Sequence, residues 1–513
     1  MRVAIRVDAG ALIGGGHAMR CLTLADALAA RGADVSFVTA AMPEWLYDRI
    51  ESCGHKVVRI APLPSLRREG GDWHEPPLVQ EDQAADAAAS GAACGNVDWL
   101  IVDHYLLDAR WHSAARSFAR NVLVIDDLAN RQYDCDLLLD QTFGRNAADY
   151  AELVPATARV LAGSNHALLR PEFEQERRAA LDRRKAEPDI ERVLVSIGTA
   201  DLGGSTLKII DQLLAVAPQC EIGVVLGPDA SSLQHVRQLT ERNGKLRLHV
   251  DTGEMARLMR DADLAIGAAG TTSWERCCLG LPTIALVLAE NQRASATALA
   301  AAGAVIALER MEDVGPAIRQ LLDHSECLPQ MSAAAFPIVD GQGAERVAST
   351  IFGDEARQSK IVELRSATEA DMELLWLWRN DPVTRAQSRN TDPISWKSHV
   401  CWVTGALADP SRKILIGERG GIPLGNVGLH QVNGETEVSI VVTPNERGTG
   451  VGAAMLRAAC AANSAQDVFA AVRAGNEASR RLFESCGFTP VESSEPGFMR
   501  YVRRGEHRHR KQA

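Results

Sequence analysis

The sequence predicts an α/β protein in which two successive halves, each built around a parallel sheet, precede a smaller α+β segment. Short apolar runs alternate with helix-like stretches through the first 352 residues, as in "RVAIRVD", "WLIVDHY" and "RVLVSIG". Continuous apolar runs of this kind are typical of buried parallel strands. The composition then changes, because the last part of the chain holds clustered tryptophans and runs of antiparallel type such as "TEVSIVVT".

Length, charge and cysteine content exclude several classes of function before any motif is considered. With 513 residues, a net charge of −11 and a sequence pI of about 5.7, the chain lacks the basic character of a dedicated nucleic-acid binder. The eleven cysteines form no CxxC pair or zinc-type cluster, which predicts reduced thiols and no metal site. Polar residues interrupt the N-terminus where a signal peptide would be apolar, and no apolar run could span a bilayer. We therefore expect a cytoplasmic protein with no nucleic-acid or membrane partner.

The sequence pattern divides the chain into five parts. The first half covers residues 1–168, and the second half covers residues 169–352. The polar stretch at 353–360 is predicted to be a linker. Residues 361–504 form the third segment, and the basic tail at 505–513 is expected to be disordered.

The first motif, "RVDAGALIGGGHAMRC", places three glycines between a strand and a helix. Glycines let the backbone approach a ligand closely, and a helix N-terminus attracts anions. His17 would stand beside a diphosphate held there, where a neutral imidazole can take a proton from water. His17 is therefore the candidate general base, and packing at the turn is its structural alternative. The predicted substrate-binding residues of this motif are Asp8, Gly14, Gly15, Gly16 and Arg20.

A second loop of the same character follows a strand in "DLAIGAAGTTSWERCC". Its backbone amides and hydroxyl groups suit a diphosphate, while Glu275 could accept hydrogen bonds from ribose hydroxyls or cap the following helix. The segment "AENQ" stands at the end of the next strand, where its side chains suit sugar hydroxyls and acetamido groups. The predicted substrate-binding residues of the second half are Gly198, Gly270, Thr271, Thr272, Ser273, Glu275, Glu290, Asn291 and Gln292.

These motifs resemble nucleotide-sugar enzymes of the GT-B fold, which are built from a pair of Rossmann-type domains. The opening pattern, "RVD" followed by "IGGGHAMRCL", is similar to that of the UDP-sugar hydrolases of pseudaminic acid biosynthesis. The "LRPEF" sequence at Leu169 to Phe173 and the "GTTSWE" loop are similar as well. His166 stands where that family would carry a tyrosine. The resemblance covers residues 1–352.

The resemblance implies hydrolysis of UDP-2,4-diacetamido-2,4,6-trideoxy-β-L-altrose, with His17 as the general base. Water would attack the anomeric carbon, the C–O bond would break with inversion, and the two glycine-containing loops would hold the departing UDP. Backbone amides would then do what a metal ion does in other enzymes. Three alternatives stay open: a glycosyltransferase of the same fold, a hydrolase of another nucleotide-activated sugar, and a nucleotide-sugar sensor without activity.

The third motif, "VSIVVTPNERGTGVGAAML", places a glycine-rich turn between an antiparallel strand and a helix. Successive backbone amides in such a turn form a cradle for a pyrophosphate. Together with "GNEASRRLFESCGF", this motif resembles the acetyl-CoA-binding core of the GNAT N-acetyltransferases over residues 361–502. The predicted cofactor-binding residues are Val442, Arg447, Gly448, Thr449, Gly450, Val451, Gly452, Asn476 and Arg480.

The GNAT resemblance implies that acetyl-CoA is the co-substrate and that an amine is the acceptor. Glu437 is the candidate base for that amine, with His430 as a second candidate and a solvent-facing strand carboxylate as the structural alternative. Phe483 stands where many members of the family carry a tyrosine that protonates the leaving thiolate, which leaves the proton donor open.

The two resemblances together predict a bifunctional enzyme of pseudaminic acid biosynthesis. The C-terminal segment would acetylate the 4-amino group of a UDP-linked amino sugar, and the N-terminal pair of domains would hydrolyse the product. An acetyltransferase of a different amine specificity is the alternative for the C-terminal segment.

Overall fold

The computed structural model describes residues 1–10, 14–62, 80–184, 189–198, 201, 203–353, 362–419, 422–432, 434–462, 466–493 and 495–505. Ile13 of the first motif, the predicted linker after residue 353 and the predicted tail after residue 505 lie outside these described residues. The chain packs as two compact units, Met1–Phe352 (unit 1) and Gly353–Ala513 (unit 2).

The first half of unit 1 is built on a sheet in which, among the described residues, seven strands all run parallel. In chain order they are β1 (Arg2–Val7), β2 (Asp34–Thr39), β3 (Lys56–Arg59), β4 (Val97–Asp103), β5 (Ala119–Ile125), β6 (Leu137–Asp140) and β7 (Arg159–Ala162). Their spatial order is β3-β2-β1-β4-β5-β6-β7, a doubly wound sheet whose order reverses between β1 and β4. Ligands bind outside the carboxyl ends of the strands at such a reversal.

The second half of unit 1 repeats this arrangement with six parallel strands in the described part of the chain. They are β8 (Arg192–Ser196), β9 (Glu221–Leu226), β10 (Leu246–Val250), β11 (Leu264–Ala268), β12 (Thr283–Leu286) and β13 (Val305–Leu308). Their spatial order is β10-β9-β8-β11-β12-β13, so the reversal lies between β8 and β11. The predicted pair of Rossmann-type folds is confirmed.

Helices cover the sheets of unit 1 and bury their apolar faces against them. The described helices are α1 (Gly16–Ala30), α2 (Glu44–Ser52), α3 (Gln80–Cys94), α4 (Ala109–Ala115), α5 (Pro171–Arg183), α6 (Ser205–Val216), α7 (Leu233–Arg242), α8 (Met255–Asp261), α9 (Thr272–Cys278), α10 (Glu290–Ala301), α11 (Val314–Asp323), α12 (Cys327–Ala335) and α13 (Gly343–Phe352). Leu24 and Leu28 of α1 pack against Ile5 of β1 in one core. Each fully buried leucine contributes roughly 1.5–3 kcal/mol, so this contact anchors the helix that carries the first motif.

The last helix of unit 1, α13, packs on the first half although it follows the second sheet in the chain. Val347 and Ile351 of α13 belong to the same core as Leu24 and Ile5. At the surface, Arg31 donates a hydrogen bond of 2.7 Å to the hydroxyl of Ser349. The segment predicted as the second half therefore ends in a helix that returns to the first.

Unit 2 contains a mixed sheet flanked by helices. Its described strands are β14 (Glu363–Ser366), β15 (Arg412–Arg419), β16 (Ile422–Val432), β17 (Glu435–Val442), β18 (Val468–Arg473), β19 (Thr489–Val491) and β20 (Phe498–Arg503), and they lie in the order β14-β15-β16-β17-β18-β20-β19. The described helices are α14 (Met372–Asn380), α15 (Pro382–Ala386), α16 (Trp396–Ala408), α17 (Val451–Ala461) and α18 (Glu477–Ser485). This is the α+β organisation predicted for the third segment.

Strands β17 and β18 form the parallel pair of this sheet, and they separate almost at once. Within the described residues they are paired only where Thr436 meets Val468 and Glu437 meets Phe469. From Val438 onward, the edge of β17 that faces β18 has no strand partner in the described chain. The gap leaves a free strand edge directly before the glycine-rich turn.

Candidate active sites

A cavity of about 690 Å³ lies between the two halves of unit 1 and takes its walls from both. Its lining comes mainly from segments that follow the carboxyl ends of the strands, as expected for doubly wound sheets. Twelve of the predicted residues line it: Gly14, Gly15, Gly16, His17, Arg20, Gly198, Gly270, Thr271, Thr272, Glu275, Asn291 and Gln292. The cavity is within the range usual for small-molecule sites.

The imidazole of His17 is held by a carboxylate at the end of β4. Nδ1 of His17 lies 2.6 Å from Oδ1 of Asp103. Arg20 holds both oxygens of the same carboxylate, with its Nε and Nη2 each donating at 2.6 Å. Burial alone would raise the pKa of Asp103, but the charges of Arg20 and His17 outweigh it and keep that pKa below its usual range. Asp103 is therefore an ionised carboxylate beside the candidate base.

A second chain of contacts joins this cluster to the other half of unit 1. Arg20 reaches Oδ2 of Asp127 at 3.4 Å, and the hydroxyl of Tyr105 donates to the same oxygen at 3.0 Å. The amide nitrogen of Asn291, from α10, donates to the Tyr105 hydroxyl at 3.2 Å. The ring of Tyr105 also packs edge-on against His17, with centroids 4.9 Å apart. The cluster around the candidate base therefore has a contact from each half.

Asp8 does not line the cavity. Its carboxylate accepts hydrogen bonds from Arg6 at 2.6 Å, from the Thr39 hydroxyl at 3.0 Å and from the backbone amide of Ala40 at 2.8 Å. His104 approaches its other oxygen at 3.2 Å. These partners hold Asp8 in a buried polar cluster, so its contact with the substrate stays a prediction.

Two further predicted residues lie outside the cavity lining. Ser273 is 2% exposed and accepts a hydrogen bond of 3.0 Å from Arg276. The carboxylate of Glu290 is largely exposed and pairs with Arg293 at 3.2 Å. The structure therefore does not bring either side chain to the other predicted residues.

The polar groups of the second half that do face the cavity are arranged around the loop after β11. Glu275 is partly buried, and Arg170 lies 3.9 Å from its carboxylate. Burial raises the pKa of Glu275, although the charge of Arg170 opposes that change. Oδ1 of Asn291 is buried and has no hydrogen-bond partner in the described residues. An unpaired buried acceptor of this kind favours a ligand hydroxyl or amide as its partner.

The glycine-rich turn of unit 2 adopts backbone conformations that favour glycine. Gly448 and Gly450 have φ angles of +80° and +89°, and α17 begins directly after Gly450. A Cβ on Gly452 would lie 3.1 Å from a methyl group of Val442, so α17 packs tightly against the end of β17. The backbone amide of Val451 belongs to the first turn of an eleven-residue helix, so no carbonyl of that helix can accept a hydrogen bond from it.

The other predicted cofactor residues have partners within unit 2. Arg447 donates to Asp381 at 2.5 Å and to the Thr384 hydroxyl at 3.0 Å, which ties the turn to α15. The hydroxyl of Thr449 donates to the carbonyl oxygen of Glu446 at 2.7 Å. Asn476 caps α18 by accepting from the amide of Ser479 at 3.0 Å, and Nε of Arg480 donates to the Tyr501 hydroxyl at 3.4 Å. These contacts shape the turn and the helix, and cofactor binding by the four side chains stays a prediction.

Glu437 lies on β17 where that strand begins to separate from β18. Arg389 donates to its carboxylate at 2.9 Å and holds Glu495 with a second bond of 2.8 Å. His430 lies opposite Glu437 in the register of β16 and β17. A cavity of about 370 Å³ adjoins this cluster and is lined by Arg389, Phe469, Ala471, Glu492, Ser493, Glu495 and Arg500. The candidate base is therefore ion-paired with Arg389.

The side chain of Phe483 is part of the core of unit 2. It is 3% exposed, and its ring lies 5.1 Å from that of Phe488 and 6.3 Å from that of Tyr501. The hydroxyl of Tyr501 donates to Glu484 at 3.0 Å. The position therefore holds an aromatic ring without a proton to donate.

Two properties concern the described residues as a whole. Among them, no group of three or more histidine, cysteine, aspartate and glutamate side chains could hold a metal ion. No described helix combines the length and apolar character needed to cross a membrane.

Comparison with known proteins identifies a domain in each unit. Residues 206–350 match the profile of the glycosyltransferase family 28 C-terminal domain, and residues 362–489 match that of the acetyltransferase (GNAT) domain. The GNAT match supports acetyl-CoA as the co-substrate of unit 2.

Three relatives extend these matches. An uncharacterized protein of Methanocaldococcus jannaschii is 23% identical over 452 residues, which cover 86% of each chain. The UDP-2,4-diacetamido-2,4,6-trideoxy-β-L-altropyranose hydrolase of Campylobacter jejuni is 26% identical over 306 residues, 59% of this chain and 97% of that enzyme. The spore coat polysaccharide biosynthesis protein SpsG of Bacillus subtilis is 28% identical over 217 residues, 39% of this chain and 59% of that protein. The chain therefore joins a nucleotide-sugar-processing pair of GT-B domains, homologous to that hydrolase, to an acetyltransferase domain of the GNAT family.

Proposed function

We propose that unit 1 hydrolyses UDP-2,4-diacetamido-2,4,6-trideoxy-β-L-altrose to UDP and the free sugar. The observation that carries the proposal is the position of His17, which lines the cavity between the halves while Asp103 holds one of its ring nitrogens. The Campylobacter hydrolase supports it, because the similarity covers 97% of that enzyme.

In the proposed reaction, the oxygen of a water molecule attacks the anomeric carbon of the sugar. The imidazole of His17 takes the proton from that water through the ring nitrogen that does not face Asp103. The bond between the anomeric carbon and the phosphate oxygen breaks, and its electron pair leaves with UDP. Attack from the face opposite to UDP inverts the anomeric centre. A positioned general base contributes about 10²–10⁴-fold to the rate.

The remaining acceleration would come from binding the diphosphate and the sugar. The glycine turn at Gly14 to Gly16 and the loop at Gly270 to Thr272 line the same cavity and offer backbone amides and hydroxyls to the leaving group. The unpaired Oδ1 of Asn291 suits an acetamido N–H or a sugar hydroxyl. Glu275 would accept hydrogen bonds from the ribose hydroxyls.

For unit 2 we propose acetylation of the 4-amino group of the UDP-linked amino-sugar precursor, before hydrolysis. The amine nitrogen attacks the thioester carbonyl of acetyl-CoA, the C–S bond breaks, and the thiolate leaves with CoA. Glu437 takes the proton of the amine directly or through water. The free edge of β17 would pair with the pantetheine arm, and the turn from Gly448 to Gly452 would hold the pyrophosphate.

The experiment that tests both assignments is an NMR time course. The full-length protein is mixed with acetyl-CoA and the UDP-4-amino sugar, and the acetyl and anomeric signals are followed together. We expect the acetylated UDP-sugar to appear first and free UDP with the diacetamido sugar to follow. Acetyl transfer with an intact anomeric phosphate would refute the hydrolase assignment, and no reaction at all would refute the sugar assigned to the whole chain.

The second candidate function for unit 1 is a glycosyltransferase. The match of residues 206–350 to the glycosyltransferase family 28 C-terminal domain favours it. The two candidates differ in one product, because a hydrolase releases free sugar when no acceptor is present. Release of sugar in buffer alone therefore supports hydrolysis, whereas turnover that requires an added acceptor supports glycosyl transfer.

A further inference from the structure

We infer that Asp103 is a positioning residue for the proposed hydrolysis, because it fixes the tautomer of His17 and leaves the other ring nitrogen free to act as the base. The inference rests on the proposed function of unit 1 and adds a residue that neither the sequence motifs nor the comparisons indicate.

The tautomer follows from the hydrogen bonds of the Asp103 carboxylate. Its two oxygens accept from Arg20 at 2.6 Å each, and Oδ2 also lies 3.4 Å from the thiol of Cys21. An ionised carboxylate has no hydrogen to donate. Nη2 of Arg20 also lies 3.1 Å from Nδ1 of His17, but Oδ1 is closer at 2.6 Å, and two acceptors would repel at that distance. The contact between Oδ1 and Nδ1 is therefore a hydrogen bond in which Nδ1 donates. The hydrogen of the neutral ring lies on Nδ1, and Nε2 keeps the lone pair.

The fold explains why these three residues meet. His17 and Arg20 are three residues apart on α1, so both project from the same side of its first turn. Asp103 is the last residue of β4, and in the parallel register of the sheet it lies beside Val7, the last residue of β1. The reversal of strand order between β1 and β4 thus brings the end of β4 under the start of α1. The cluster therefore depends on a pairing of strands that are distant in sequence.

The same carboxylate is the anion that faces His17 once the ring has taken a proton. When Nε2 takes a proton, the imidazole becomes a cation. Its Nδ1 lies 2.6 Å from the carboxylate of Asp103, and the opposite charges attract. Arg20 is the nearest cation to the imidazole. Nη1 of Arg20 lies 3.4 Å from Oδ2 of Asp127, and the ring of Tyr105 packs edge-on against His17. Without the charge of Asp103, the protonated ring would face the guanidinium of Arg20, whose remaining carboxylate partner in the described residues is Asp127. We therefore expect loss of this carboxylate to remove both the acceptor that fixes the tautomer and the anion that faces the protonated ring.

The activity test compares Asp103→Asn with a matched control in the full-length protein. The asparagine amide has nearly the shape of the carboxylate but can donate to Nδ1, which selects the unproductive tautomer. We expect kcat for the acetylated UDP-sugar to fall by about 10²–10⁴-fold with KM little changed. The control is Asp86→Asn, which removes another buried carboxylate, ion-paired with Arg6 at 2.9 Å and outside the cavity lining. It should keep both kcat and KM.

A measurement that does not require turnover distinguishes a wrong role for Asp103 from a wrong activity for unit 1. Histidine labelled with ¹⁵N reports which ring nitrogen carries the hydrogen, and a His17→Gln sample identifies the signal of His17 among the 13 histidines. We expect the hydrogen on Nδ1 in the wild type and on Nε2 in Asp103→Asn. A wild-type ring with its hydrogen on Nε2 overturns the inference whether or not a UDP-sugar is hydrolysed. Nearly unchanged kcat in Asp103→Asn also overturns it, and the wild-type spectrum decides the question if that variant does not fold.

Discussion

Gly16 and Thr271 lie close together in the lining of the cavity of unit 1: a Cβ built on Gly16 would lie 3.1 Å from Oγ1 of Thr271. Gly16 begins α1 in the first half, and Thr271 precedes α9 in the second. The two loops that we assign to the diphosphate therefore meet at this point. The absence of a side chain on Gly16 allows the threonine hydroxyl to approach the helix.

The first prediction is that Gly16→Ala lowers kcat/KM for hydrolysis by on the order of tenfold, which corresponds to about 1.4 kcal/mol. The added methyl group would displace the Thr271 hydroxyl from the diphosphate site by a few tenths of an ångström. Steady-state kinetics with the acetylated UDP-sugar measure the effect.

A double-mutant cycle tests whether this reason is right. If both changes act by removing the same hydroxyl from its place, Gly16→Ala combined with Thr271→Ala should be no worse than Thr271→Ala alone. Gly244→Ala serves as the control, because a Cβ there meets no atom within 4 Å. Additive losses from the first two substitutions would contradict the proposed displacement.

The second prediction concerns the base of unit 1. His17→Gln should lower hydrolysis by about 10²–10⁴-fold, because glutamine cannot take the proton of the attacking water. Acetyl transfer by unit 2 should continue at the wild-type rate. In the NMR time course, the variant should therefore accumulate the acetylated UDP-sugar, and rapid release of UDP would show that another group is the base.

The third prediction concerns the cofactor site of unit 2. Gly450→Glu should abolish acetyl transfer, because a carboxylate at the turn repels the pyrophosphate and a side chain is strained at a φ of +89°. Isothermal titration calorimetry should show no binding of acetyl-CoA. Hydrolysis of sugar that is already acetylated should persist, and its loss would contradict independent action of the two units.

The fourth prediction concerns the proton acceptor of unit 2. Glu437→Gln should lower kcat for acetyl transfer by about 10²-fold or more while leaving the affinity for acetyl-CoA unchanged. Glu435→Gln is the matched control, since Glu435 lies on the same strand and pairs with Arg500 at 2.5 Å. Equal losses in the two variants would identify the effect as structural.

The fifth prediction concerns the pH dependence of stability in the first half. His112 is fully buried, and burial together with the nearby charge of Arg131 lowers its pKa to about 3. As the pH falls below about 6.5, the unfolded chain binds this proton and the folded chain does not, so the free energy of unfolding decreases by up to ~1.4 kcal/mol per pH unit. This loss continues down to the folded pKa of about 3.

Replacement of His112 by asparagine tests this origin of the pH dependence. The asparagine oxygen can still accept the hydrogen bond that Nδ1 of His112 receives from the amide of Asp134 at 3.4 Å, but it does not titrate. The variant should be less stable at neutral pH because its side chain is smaller, yet its stability should change less between pH values of about 7 and 5. Native-state hydrogen exchange of the amides in β4 and β5 measures the free energy of unfolding at each pH. If its slope against pH is the same in the variant, groups other than His112 cause the pH dependence.

The fold and most of the cavity could be predicted because both depend on local patterns. Continuous apolar runs identify parallel strands, and glycine-rich turns after them identify where a ligand binds. The placement of Asp8 shows the limit of such reasoning. A carboxylate at the end of β1 is compatible with substrate contact, but a buried Arg6 on the same strand takes it as a partner.

The residues that sequence reasoning missed are those whose neighbours are distant in the chain. In "WLIVDHY", Asp103 ends β4 and Tyr105 follows two residues later, so the signal for a polar group at a strand end was present. What the sequence could not indicate is that β4 pairs with β1, which alone brings Asp103 to His17. The contact of Asn291 with Tyr105 depends further on how two separate sheets face each other.

Helix α13 has a consequence for any attempt to divide unit 1 into fragments. A polypeptide of residues 1–168 would lack Val347 and Ile351, and would expose the apolar surface of α1 that they cover. We expect that fragment to aggregate when it is produced alone. Co-expressed with residues 169–352, it should reassemble into an active split enzyme, because each fragment carries part of the core that the other needs.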